Sequence, residues 1–154
     1  YDPHSLAMVN NHDVPTLVSW WNGTDIKLRD KLQLLEEGVT FQDVCDARSK
    51  EKQMILEMLY ENNLYPDSWH GEPIEKQADE ELIASILLLL SKATSKIFVI
   101  QLEDLLMMDD PVNVPGTFKE HQNWQRKLSL PIEDMFSDDR IVSLLKKINL
   151  QRKQ

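Results

Sequence analysis

The most constraining feature of the sequence is an almost unbroken apolar run at residues 97–102, Ile-Phe-Val-Ile-Gln-Leu. β-branched and aromatic residues favour strands, and a strand without polar alternation is typical of a parallel sheet covered on both faces. A second, shorter apolar run at residues 5–9 leads into a polar turn and then a helical pattern. The two runs predict an α/β chain with two strands, the second of them buried on both faces.

The rest of the sequence favours helices, because it contains only 4 Gly among 154 residues and is rich in Leu, Glu and Lys, which lose little freedom in a helix. A first helix is predicted from Leu17 to Gly23, with Asp13 as a candidate N-cap ahead of it. Thr24 is predicted to cap a second helix, which Gly38 ends. Its apolar stripe comprises Leu28, Leu32 and Leu35.

Four further helices are predicted, which makes the fold helix-rich. Thr40 begins a long one whose apolar stripe comprises Met54, Ile55, Met58 and Leu59. Another begins near Asp79, Pro131 starts a short one, and Ser137 is predicted to cap the last. Pro and Gly mark loops at residues 65–77 and 109–123. A length of 154 residues fits one domain, so residues 1–154 are expected to form a single unit.

Charge and cysteine content disfavour several classes of protein. The 17 Lys and Arg against 26 Asp and Glu give a net charge of −9, so we expect no nucleic-acid partner. Cys45 is the only cysteine, which excludes an intrachain disulfide and predicts a cytoplasmic location. No apolar run approaches the roughly 20 residues that span a bilayer, so no membrane partner is expected. The chain begins at Tyr1 instead of Met, as expected of a processed product or a piece of a longer chain.

His12 and Asp13 are the first candidates for chemistry, because they follow the first strand and precede a helix. The carboxyl ends of strands are where α/β barrels present catalytic groups. The alternative is that Asp13 only caps the helix and His12 is an ordinary turn residue. No His or Cys cluster has metal-ligand spacing, and no phosphate-binding loop is present, so neither a metal nor a cofactor is expected.

Aromatic and acidic residues supply further candidates. The four tryptophans offer faces that can stack on sugars, although tryptophan packs in the core more often. Trp124 is the best ligand candidate among them, because it follows a Pro-Gly loop beside Arg126. Glu103 and Asp104 follow the second strand, where a parallel sheet places functional carboxylates. The remaining histidines are expected on the surface: His4, His70 and His121.

Taken together, two motifs resemble the amylomaltases, which are bacterial 4-α-glucanotransferases. The first, similar to the family's His-Asp-x-Pro-Thr motif, is Asn10-Asn11-His12-Asp13-Val14-Pro15-Thr16-Leu17 with Trp20-Trp21. The second, similar to its Asn-(Ile/Val)-Pro-Gly-Thr loop, is Pro111-Val112-Asn113-Val114-Pro115-Gly116-Thr117 with Asn123-Trp124 and Arg126. Residues 100–105 resemble the strand between them. The sequence departs from the family at two positions. Asn11 stands where the family often has Thr, and Gln125 stands where it usually has Arg.

The resemblance implies the C-terminal portion of a (β/α)8 TIM barrel, carrying its last two parallel strands and the surrounding helices. A complete barrel takes about 250 residues, more than this chain has. The implied activity is transfer of α-1,4-glucan segments between maltodextrins, with maltose also a substrate, by a retaining double displacement. Asp13 would stabilise the transition state and His12 would contact donor-sugar hydroxyls. The implied substrate-binding residues are Asn113, Pro115, Gly116 and Trp124.

In the family, the nucleophile and the acid/base come from earlier strands, so the 154-residue chain alone is expected to be inactive. Glu103 and Asp104 are not expected to replace them, because Leu106 follows where the family's acid/base motif has Gly. The competing interpretation is a non-catalytic helical interaction module. A barrel piece would expose strand edges and apolar helix faces, so it is expected to self-associate, whereas an independent module is not.

Overall fold

The computed structural model describes residues 2–153 and is a helix-rich α/β structure. Its two strands are β1 (Leu6–Met8) and β2 (Ile97–Val99). The helices are α1 (Leu17–Asn22), α2 (Thr24–Lys31), α3 (Phe41–Glu61), α4 (Glu80–Ser91), α5 (Leu102–Leu105), α6 (Ile132–Met135) and α7 (Asp139–Gln151), with a 3-10 helix at Asp67–Trp69. Within the described residues, no helix is both long enough and apolar enough to cross a membrane.

The two strands pair in parallel, with Ala7 opposite Phe98. Both predicted strands are therefore present, but the second is shorter than predicted, because Gln101 already forms the N-cap of α5. The prediction that the second strand is buried on both faces is wrong. Ile97 is 57% exposed, and neither Phe98 nor Val99 is fully buried. In the described sheet β2 also pairs only with β1, which leaves its other edge open.

Three predicted helix caps are wrong, each by a few residues. Thr16, not Asp13, caps α1, and its hydroxyl accepts a hydrogen bond from the Ser19 amide at 3.1 Å. Gly23, with φ of 70°, both ends α1 and precedes α2, so Thr24 lies inside the second helix. Asp138 takes the position predicted for Ser137. In each case a neighbouring residue has the extended or left-handed backbone that a helix end requires.

The stripe predicted for α3 is rotated around the helix. Thr40 caps α3 as predicted, but Met54 and Met58 are 61% and 49% exposed. The face turned inward instead carries Arg48 and Lys52, whose cationic groups lie 4.4 and 5.3 Å from the ring centroids of Trp20 and Trp21. Long cationic side chains can cover apolar surface with their stems, and aromatic faces attract their charges. Leu56 and Leu59 continue this face into the core.

The core lies between α1, α3, α4 and α7 and centres on two tryptophans. Trp21 and Trp69 are fully buried and meet edge to face, with ring centroids 5.2 Å apart. Their indole N–H groups donate to the Lys76 carbonyl at 3.1 Å and to Asp79 Oδ2 at 3.0 Å. Trp69 is therefore a core residue and not a platform on which a sugar stacks. Its hydrogen bond to Asp79 also connects the loop at residues 65–77 to the start of α4.

Candidate functional site

The first part of the site is the turn between β1 and α1. Asn11 Oδ1 accepts a hydrogen bond from the Asp13 amide at 2.9 Å, and its carbonyl accepts one from the Val14 amide at 3.2 Å. This local pattern is an Asx turn, which short polar side chains favour. It projects the next two side chains outward, so that His12 and Asp13 are 53% and 50% exposed.

The Asp13 carboxylate is held on both oxygens. Asn113 Nδ2 donates to Oδ1 at 2.7 Å, and His12 Nε2 lies 3.3 Å from Oδ2. Asn113 belongs to the loop that follows β2 and α5 and lies 100 residues after Asp13 in the sequence. The two residues meet because the parallel strands β1 and β2 end at the same edge of the sheet. The structure thus brings together the two motifs that the sequence analysis singled out.

The loop at residues 109–124 is shaped by one side chain, Asn123. Its Oδ1 accepts a hydrogen bond from the Val114 amide at 2.8 Å, and its Nδ2 donates to Thr117 Oγ1 at 2.8 Å. Between these contacts Gly116 has φ of 90°, and a Cβ there would lie 3.3 Å from Leu34 Cδ2. Asp13, Asn113 and Pro115 line a small cavity of about 40 Å³. The Pro-Gly turn is thereby fixed beside the carboxylate.

Trp124 closes the loop and reaches the other motif. Its amide donates to the Val112 carbonyl at 2.8 Å, and its φ is 61°, an unusual backbone conformation for a bulky residue. The indole lies against His12, with ring centroids 5.0 Å apart and planes at 52°, and the residue is 62% exposed. An exposed aromatic ring beside an acid and an imidazole is suited to contact a hydroxyl-rich ligand.

The two carboxylates that follow β2 are held by other partners. Glu103 pairs with Arg126 at 3.2 Å, and both side chains are largely buried. Asp104 is 1% exposed and accepts a hydrogen bond from the Leu17 amide at 2.8 Å. Burial raises the pKa of Asp104, while the hydrogen bond from Leu17 and the nearby Asn10 side chain act in the opposite direction.

Sequence reasoning missed the supporting residues of the site. Asn123 and Arg126 belong to the second motif, but the local sequence does not show that Asn123 hydrogen-bonds within the loop or that Arg126 pairs with Glu103. The sequence places Thr16 only in the first motif, whereas its hydroxyl also donates to the Met108 carbonyl at 2.7 Å. Among residues 2–153, no group of three or more His, Cys, Asp and Glu side chains is arranged to hold a metal ion.

An exposed Asp-His pair at the carboxyl end of a parallel strand is the arrangement of α/β enzymes whose sites form where their strands end. Comparison with known proteins defines the family. A model of the 4-alpha-glucanotransferase family matches residues 1–132, and the chain belongs to this family. The resemblance to amylomaltases is therefore confirmed.

Curated relatives carry the same family name. The chain is 30% identical to a 4-alpha-glucanotransferase of Haemophilus influenzae over 152 residues, which cover 99% of the chain and 22% of the relative. It is 26% identical to a 4-alpha-glucanotransferase of Mycobacterium tuberculosis over 151 residues, which cover 92% of the chain and 19% of the relative. The chain thus spans about a fifth of the length of these relatives.

A solved structure shares the fold. The crystal structure of amylomaltase from Corynebacterium glutamicum matches 96% of this chain and 22% of its own chain, with a TM-score of 0.80 at 22% sequence identity. The helix-rich α/β arrangement described above is therefore an amylomaltase-like fold.

Proposed function

We propose that residues 1–154 form a single unit, the C-terminal part of a 4-α-glucanotransferase catalytic domain with the last two strands of a (β/α)8 barrel. Completed by the remaining strands, this unit transfers α-1,4-glucan segments between maltodextrins, including maltose. The observation that carries the proposal is the Asp13 carboxylate, exposed to solvent yet held by Asn113 at 2.7 Å and placed beside His12.

Each residue of the site has a role in this proposal. Asp13 accepts hydrogen bonds from hydroxyls of the reacting sugar and stabilises the positive charge of the oxocarbenium-like transition state. His12 contacts the donor sugar, and the exposed ring of Trp124 packs against a sugar face. Asn113, with Pro115 and Gly116, forms the wall of the cleft. The nucleophile and the acid/base of the double displacement come from the part of the domain that precedes these residues.

Two apolar grooves support the assignment to a barrel. One, of about 570 Å³, lies beside the end of β1 and includes Val9, Val14 and Ile86. The other, of about 300 Å³, lies along β2 and includes Phe98, Ile100 and Ile148. In a closed barrel each strand has a neighbour on both sides, so further strands would lie beside β1 and β2 next to these grooves.

The grooves also favour self-association of the isolated chain, because exposed apolar surface and open strand edges are sites of association. Light scattering measures this directly. Oligomers are expected for a barrel piece, and a well-behaved monomer would favour the interaction-module alternative. We place the enzyme in the cytoplasm on the basis of the single cysteine.

Glucose release from maltotriose tests the proposed function. The 154-residue chain alone is expected to release none, whereas a longer polypeptide from the same gene that includes the preceding strands is expected to be active. In that polypeptide, Asp13→Asn should lower kcat at least about 100-fold, since a neutral amide cannot stabilise the developing charge.

Asp30→Asn is the matched control, because Asp30 is an exposed carboxylate on α2. It is expected to leave kcat unchanged. Release of glucose by the short chain, surviving Asp13→Ala, would contradict the proposal that the nucleophile and the acid/base lie elsewhere.

A further inference from the structure

Hydrogen bonds join the segment that follows β2 to the segment that follows β1. Side chains and carbonyls of residues 104–113 bind the turn before α1, the start of α1 and the start of α2. The pairs are Asp104 with Leu17 at 2.8 Å, Met108 with Thr16 at 2.7 Å, Asn113 with Asp13 at 2.7 Å, and Asp109 with Thr24. Only the Asn113 contact involves a residue of the proposed active site, so the others require a separate explanation.

Asp104 is the most deeply buried carboxyl group of this set. It is 1% exposed, and within the described residues its Oδ2 has no hydrogen-bond partner. Burying a carboxyl group that is only partly hydrogen-bonded is unfavourable, and an apolar side chain of the same size would avoid that cost. What an apolar side chain cannot do is accept the hydrogen bond that Oδ1 receives from the Leu17 amide.

The hydrogen bond from the Leu17 amide to Asp104 connects the start of α1 to the segment that follows β2. Leu17 is the first residue of α1, where amides have no partner inside the helix. It follows Thr16, the N-cap, and stands four residues after Asp13. A bond to Leu17 therefore fixes the end of the turn that carries Asp13, while Asn113 holds Asp13 itself.

We propose that Asp104 is a positioning residue, which fixes the turn at residues 10–16 relative to the loop at residues 109–124 and so sets the geometry between Asp13 and Asn113. The inference rests on the proposed role of Asp13. Asp104 does not touch the substrate. Its effect on catalysis is indirect, because a misplacement of about 1 Å in an active site can lower the rate about 100-fold.

The test compares substitutions at Asp104 in the longer, active polypeptide. Asp104→Leu removes the acceptor and keeps the number and branching of the side-chain heavy atoms. It is expected to lower kcat at least about tenfold, with KM changed less than about twofold. Asp104→Asn keeps an acceptor oxygen and should retain most of the wild-type kcat. Leu59→Ala is the structural control, since Leu59 is a fully buried core residue of α3. It should lower Tm without lowering the kcat of the folded enzyme.

Amide hydrogen exchange provides a readout that does not depend on activity. In the wild type, the Leu17 amide is expected to be protected although it lies in a first helical turn, where amides ordinarily exchange quickly. Asp104→Leu should accelerate exchange in residues 10–17, and Asp104→Asn should not. Because the wild-type protection can be measured alone, the inference stays testable even if a variant does not fold.

The inference is overturned by an unprotected Leu17 amide, by a wild-type kcat in folded Asp104→Leu, or by equal losses of kcat in Asp104→Leu and Asp104→Asn. Failure of the proposed function looks different. In that case Asp13→Asn leaves transfer unchanged, while exchange at Leu17 still reports whether the Asp104 contact holds the turn.

Discussion

Asp79 is expected to stabilise this chain far more than its partial exposure suggests, and Asp79→Ala tests this. The side chain is 34% exposed, but it caps α4 by accepting a hydrogen bond from the Leu82 amide at 2.9 Å. Its other oxygen accepts from the fully buried Trp69 indole at 3.0 Å and from Ser68 Oγ at 3.1 Å. One carboxylate therefore joins a helix end to the core.

The magnitude follows from these contacts. Loss of the N-cap costs about 1 kcal/mol, and leaving the buried Trp69 N–H without a partner costs about 1–3 kcal/mol. The ion pair with Lys76 at 3.3 Å is partly exposed and adds about 0.5 kcal/mol. Asp79→Ala should therefore lower the free energy of unfolding by about 2–5 kcal/mol. Asp79→Asn keeps the cap oxygen and should cost about 1–3 kcal/mol.

The assay is urea unfolding of the 154-residue chain, followed by tryptophan fluorescence. Thr40→Ala is the matched control, because Thr40 caps α3 at an exposed site and its loss should cost only about 1 kcal/mol. If Asp79→Ala is no more destabilising than Thr40→Ala, the buried indole contributes nothing and the reasoning is refuted.

The pKa of Asp79 predicts that the free energy of unfolding depends on pH. Burial raises the pKa of Asp79, but hydrogen bonds from Leu82, Trp69, Ser68 and Lys76 outweigh it and leave the pKa below its ordinary value. A carboxyl whose pKa falls on folding adds stability above its unfolded pKa of about 3.9. That stability is lost as the pH drops through the folded pKa. The difference between wild type and Asp79→Asn should thus be constant near neutrality and shrink below about pH 4; a difference that grows in acid contradicts the argument.

Three further substitutions test other parts of the structure. Arg48→Met leaves the largely buried Asp25 without its bidentate partner and should cost about 3–5 kcal/mol in urea unfolding; a cost below about 1 kcal/mol would show that the pair is not structural. Gly116→Ala places a Cβ 3.3 Å from Leu34 at φ of 90°, so it should distort the loop and lower kcat/KM for maltotriose in the longer polypeptide. Trp124→Ala should raise KM for maltodextrins about fivefold or more with little change in Tm, because the residue is 62% exposed; unchanged KM would remove Trp124 from the substrate site.

The parts of the fold that were predictable depend on local sequence. The apolar runs of both strands, the Thr40 cap and the start of α4 at Asp79 are each encoded within a few neighbouring residues, and the structure contains all of them. The stripe of α3 was not predictable in this way. Its inward face depends on Arg48 and Lys52 reaching Trp20 and Trp21, and a pattern of apolar residues alone cannot show a cation packed on an aromatic ring.

The candidate site was also predictable only where local sequence carries the signal. His12 and Asp13 could be selected because a strand end and a turn are visible in the sequence, but that information left the N-cap alternative for Asp13 open. The structure shows that Thr16 is the N-cap of α1, so Asp13 is not. The Asp13 carboxylate instead accepts a hydrogen bond from Asn113, which is distant in the sequence. The sequence marked Asp104 only as a candidate carboxylate at a strand end and could not predict its role, because an acidic residue after a strand looks the same whether it faces a cleft or is buried against a helix end. Its burial and its bond to Leu17 exist only in the folded chain, and they are the reason that we assign it to the geometry of the site instead of its chemistry.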